Sequence, residues 1–166
     1  MPAILSVAAA LAAAGAGTLA AGTRILDTTR NVSDNIDALA GISGLLGGGI
    51  VFTNGGRPGF AITPAQLAAD ASVLGLIAPT SPYLLQQRIT AAQASGTSLS
   101  EGFQYFGVVD TAAAVVANLP ALELLWKAGV LAGVRLTDVG TPVLSLTAAQ
   151  LGANADVLAW IGVPFT

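Results

Sequence analysis

The chain has 166 residues, of which 54% are apolar and only 9% charged, with six Lys and Arg against nine Asp and Glu for a net charge of −3. Ordinary soluble proteins carry roughly 25% charged residues. With no histidine and no cysteine, disulfides, thiolate zinc sites and Ser-His-Asp or Cys-His chemistry are excluded. Five scattered arginines and Lys127 make no basic stripe, so no nucleic-acid partner is expected.

Residues 3–22, AILSVAAALAAAGAGTLAAG, carry no charge. The run is long enough for a membrane span, but it is mostly Ala and Gly, and no basic residue precedes it as a secretory signal requires. The favoured reading is an Ala-rich packed helix ending near Gly15 to Gly17, ahead of a membrane span or signal.

Asp27 and Asp110 follow, each read as a helix N-cap. Val32, Ile36 and Leu39 then lie on one helical face, as do Val115, Leu119, Leu122 and Trp126. Pro120 predicts a bend or an early stop. The Gly-rich segment 41–50 lacks the lysine of a phosphate loop and reads as a linker or a close helix contact. Next comes a predicted β-hairpin, with Val134, Leu136, Leu144 and Leu146 as alternating apolar positions and 138–142 as the turn; 54–58 is the turn of the first copy. Thr63-Pro64-Ala65-Gln66 and Thr147-Ala148-Ala149-Gln150 are capping boxes opening the last helix of each copy.

These elements recur because the chain is a tandem duplication. DTTRNVSDNIDAL from Asp27 matches DTAAAVVANLPAL from Asp110, and 52–77 aligns without a gap on 136–161. The second alignment pairs Thr53 with Thr137, Gly56 with Gly140, Pro58 with Pro142, Thr63 with Thr147 and Gln66 with Gln150. Alanine richness alone would not place these residues in register. The copies divide near 1–82 and 83–166, at Pro79 and Pro82. The expected fold class is α+β, two copies of a helix, helix, β-hairpin, helix repeat forming one pseudo-symmetric unit. Hairpins packed together would make a small antiparallel, four-stranded sheet.

Candidate chemistry is sparse. The carboxylates are Asp27, Asp34, Asp37, Asp70, Glu101, Asp110, Glu123, Asp138 and Asp156. None pairs at a diagnostic catalytic spacing, so the chain is not expected to be an enzyme, and no catalytic, cofactor or metal residue is assigned. Calcium on exposed turn oxygens such as those of Asp138 is the one weak cofactor option; EF-hand and nonapeptide calcium motifs are missing. Trp126, Trp160, Tyr83, Tyr105, Phe103 and Phe106 are large anchors, better suited to packing or interfaces than to a stacking platform.

The motif order DTAAAVVANLPAL, VRLTDVGTPVLSLTAAQL and ADVLAWI resembles Ala-rich repeats of the DTAANI and LTAAQL type in large secreted bacterial proteins of calcium-repeat or adhesin-like kind. The resemblance covers both copies and is closest over 110–161; the first copy departs from it with Asn54 and its Gly-rich linker. It implies a location outside the cell or on its surface, export without a classical N-terminal signal, and a structural or adhesive role without catalytic residues. Scarce charge points the same way, because charged side chains, Lys above all, normally guard strand edges. The leading expectation is a self-associating fibre, surface-layer or biofilm-matrix subunit whose partner is itself. A monomeric adhesin or glycan-binding module is the alternative, and membrane association through 3–22 the weaker one.

Overall fold

The computed structural model describes residues 3–162 and 165. The chain divides into two compact units, one ending at Leu84 and the next starting at Leu85.

The first unit opens with strand β1 (Ile4–Leu5), helix α1 (Val7–Gly15) and strand β2 (Arg24–Asp27). Ser6 caps α1 by accepting the Ala9 N–H. The Ala-rich segment is thus a nine-residue helix flanked by a strand. No helix among the described residues is long and apolar enough to cross a membrane. Helices α2 (Thr29–Asp34) and α3 (Ile36–Ala40) carry the predicted apolar face, with Val32, Ile36 and Leu39 fully buried. A 3-10 turn at Ser43–Leu45 leads to strand β3 (Ile50–Phe52). The Gly-rich segment here makes a close backbone contact. A Cβ on Gly48 would lie 2.7 Å from the Gly22 carbonyl oxygen and 2.8 Å from Arg24 Cβ. Strand β4 (Gly59–Ile62) packs on α2, and α4 (Pro64–Ala69) and α5 (Ala71–Leu74) complete the unit.

The second unit holds strand β5 (Leu84–Ile89) from its second residue on, a 3-10 turn at Ala91–Ser95 and strand β6 (Tyr105–Asp110). Helices α6 (Ala112–Ala117) and α7 (Leu119–Lys127), strand β7 (Leu131–Leu136), and helices α8 (Ala148–Ala153) and α9 (Ala155–Leu158) follow. The break before Pro120 falls at Asn118, and the proline sits in the first turn of α7, where its missing N–H costs nothing.

The pairing corrects the expected fold class. β1, β2 and β3 lie side by side and parallel. So do β5, β6 and β7. Ile77 adds a parallel bridge to Ile50, and Ile161 does the same to Val134. The architecture is α/β. Among the described residues the antiparallel hairpin repeat and its four-stranded antiparallel sheet are not formed. β3 and β4 belong to different sheets, and 143–146 is not a strand. A period of two in apolar residues reports that a segment is extended and half-buried, not the direction of its neighbour. The intervening helices are the crossovers that parallel strands need.

Each unit has its own core. In the first, Val7, Ala10, Ile25, Ile50 and Ile62 pack with the buried faces of α2, α3 and α5. In the second, Ile89, Phe106, Val108, Val134 and Leu136 meet Val115, Leu119, Leu122, Val157 and Ile161. Both capping boxes form as read. Thr63 Oγ1 accepts the Gln66 N–H while Gln66 Oε1 accepts the Thr63 N–H, and Thr147 and Gln150 repeat the exchange.

Candidate functional site

The strand-end carboxylates are spent on holding helix starts. Asp27 and Asp110 are not N-caps; Thr28 and Thr111 take that place. Asp27 Oδ2 instead accepts the Val7 N–H at 2.9 Å, and its Oδ1 accepts the Thr28 N–H at 2.8 Å and the Asn31 Nδ2–H at 2.6 Å. Burial pushes the Asp27 carboxyl up, but these hydrogen bonds to the charged form outweigh it and hold it below its ordinary value. Asp110 repeats the arrangement, taking Ala91 N–H at 2.9 Å and Thr111 N–H at 2.8 Å.

The turn residues act the same way one strand later. Asn54 Oδ1 accepts the Thr29 N–H at 3.0 Å, and Asp138 Oδ2 accepts the Ala112 N–H at 2.7 Å. One Asp138 carboxylate oxygen, offered above as an exposed calcium ligand, is therefore engaged by a helix start. Glu123 is buried on α7, where Oε2 accepts the Val157 N–H and Oε1 faces Lys127 Nζ at 3.4 Å. Among the described residues no three His, Cys, Asp or Glu side chains come together.

Asp37 and Asp70 are a carboxyl pair that the fold assembles. Asp70, at the α4–α5 junction, is 4% exposed, and its Oδ2 has no hydrogen-bond partner. Asp37, on α3, accepts the Gln66 Nε2–H at 3.0 Å. Burial first, then the hydrogen bond with Asp37 and its charge, raise the Asp70 carboxyl above its ordinary value. Sequence spacing gave no sign of this pair, since 33 positions separate the two residues.

Among the described residues the aromatic anchors are divided between packed and exposed positions. Phe103 and Phe106 are buried, and Tyr83 packs against Phe52 and Phe60 with ring centroids 5.8 and 5.2 Å apart. Trp160 is about half exposed.

What remains open to solvent is an apolar sheet surface. Along β2 the side chains alternate, with Ile25 and Asp27 buried and Arg24 and Leu26 outward. The register sets Ile4 beside Arg24 and Val51 beside Leu26. Ile4 is 60% exposed and Leu26 43%, while Val51 is half-buried, so among the described residues the β1–β2 part of this face is open. Strands added in chain order by right-handed crossovers place their helices on one side only, which leaves the other side bare. Parallel sheets normally have both faces covered. In the second unit Val139 and Val143 are also exposed. Sequence reasoning missed the Ile4–Leu26 face, because β1 and β2 were not read as strands.

A comparison with known protein families, curated proteins and solved structures gives no match.

Proposed function

We propose that this chain is a self-associating structural protein of the extracellular or cell-surface kind. The exposed apolar side chains of β1 and β2 carry the reading: Ile4 and Leu26 on adjacent parallel strands, with half-buried Val51 beside Leu26 on β3 and Arg24 beside Ile4. Exposed apolar surface of this kind marks an interaction site. The strand-end carboxylates support a non-catalytic role, since they accept helix N–H groups. The location outside the cell rests on the motif resemblance to secreted Ala-rich repeats.

Sedimentation velocity over a wide concentration range, with negative-stain microscopy, tests the reading. The wild type is expected to form higher-mass species. Ile4→Lys and Leu26→Lys, whose side chains face solvent and leave the core intact, are expected to shift it toward the 16.4 kDa monomer. A wild type that stays monomeric at high concentration overturns self-association and puts the adhesin reading ahead.

A further inference from the structure

Four helix pairs in this protein share one kind of joint. α2 and α3 meet at Asn35, α6 and α7 at Asn118, and α8 and α9 at Asn154, with backbone angles of −120 and 20°, −117 and 12°, and −125 and 24°. At each, the asparagine Nδ2–H donates to the carbonyl four residues back: Asn31 O at 2.9 Å, Ala114 O at 2.8 Å and Gln150 O at 2.8 Å. The side chain thus supplies a donor where the helix breaks. α4 and α5 meet with the same backbone at −103 and 26°, but the residue there is Asp70, the counterpart of Asn154 in the repeat.

An ionised carboxylate has no hydrogen to give. Asp70 is nevertheless buried, one of its oxygens has no partner, and it makes no capping bond to α5. Asp37 faces it from α3. The remaining residues of α3, α4 and α5 are uncharged, so no cation on these elements offsets two neighbouring carboxylates. Two carboxyl groups in hydrogen-bond contact need a proton between them.

We propose that Asp70 is held protonated at this joint, its one proton shared with Asp37 in place of the donor that asparagine gives to a helix carbonyl at the other three, and that its ionisation loosens the α4–α5 pair. The first unit then contains a pH-sensitive joint that the second, with Asn154, lacks. Below the ordinary carboxyl range Asp70 is protonated folded or unfolded, and the joint is intact. As pH rises toward the folded-state value, the unfolded chain releases the proton first, and stability falls until that value is passed.

Two measurements test this on the intact chain. The side-chain carboxyl carbon of Asp70, followed by NMR, is expected to titrate above the ordinary Asp value of about 3.9. Hydrogen exchange of 64–75, corrected for intrinsic rates and referenced to 148–159, is expected to show a several-fold loss of protection between about pH 4 and about pH 8. Asp70→Asn is expected to abolish that loss, and Asp37→Asn to bring Asp70 closer to ordinary titration. Asp70 titrating at or below the ordinary Asp value, or an Asp70→Asn chain whose 64–75 segment loses protection with pH as the wild type does, overturns the proposal.

Discussion

The Asp27 carboxylate accepts the Val7 N–H at 2.9 Å, joining the end of β2 to the start of α1. Asp110 and Ala91 stand in the same relationship at the same distance. A helix start leaves amide groups without partners, and here the next strand in the sheet provides the acceptor. The duplication therefore repeats a tertiary contact as well as a sequence.

Asp27→Ala removes three hydrogen bonds to a charged acceptor and leaves the Val7 N–H without its partner. The expected cost is roughly 2–3 kcal/mol, read by urea denaturation of the whole chain. A loss under about 0.5 kcal/mol, the usual size for a plain surface change, refutes the role assigned to this side chain.

Acid acts on the same group. The folded-state value of Asp27 lies below its ordinary 3.8. Its contribution is complete above the ordinary value and is lost as pH falls through the folded-state value, because the unfolded chain takes up the proton first. Stability in acid is expected to decline less steeply in Asp27→Ala than in the wild type. Equal acid slopes would contradict the linkage.

Thr63→Ala and Thr147→Ala each break a reciprocal capping box. Each is expected to cost about 1 kcal/mol. Hydrogen exchange should locate the loss in α4–α5 for the first and α8–α9 for the second. A change spread evenly over the chain would speak against local capping.

Gly48→Ala places a methyl group 2.7 Å from the Gly22 carbonyl oxygen. The neighbour is backbone and cannot rotate away, so a destabilisation of roughly 1–3 kcal/mol is expected. Gly44→Ala, with nothing within 4 Å of the new carbon, is the control and is expected to be near neutral. Thermal melts of the two variants decide it.

Much of the local structure was legible because it depends on residues close in sequence. The Thr63 and Thr147 boxes span three residues, and the apolar face of Val32, Ile36 and Leu39 needs only helical spacing. Asp37 and Asp70 were invisible as a pair, since only the packing of α3 against α5 brings them together.

The match between the copies, the two capping boxes and the buried helical face of Val32, Ile36 and Leu39 were determined by the amino-acid sequence itself, through register between copies, short-range capping and periodicity. Strand direction was decided by the tertiary structure. Ile50–Phe52 and Gly59–Ile62 alternate equally well for a parallel or an antiparallel neighbour, so their pattern carries no direction. Asn54 and Asp138 look like hairpin residues in isolation, yet their side chains reach Thr29 and Ala112 across the fold. Those bonds tie each turn to a helix start, and the choice of acceptor became available only once the strands had stacked in parallel.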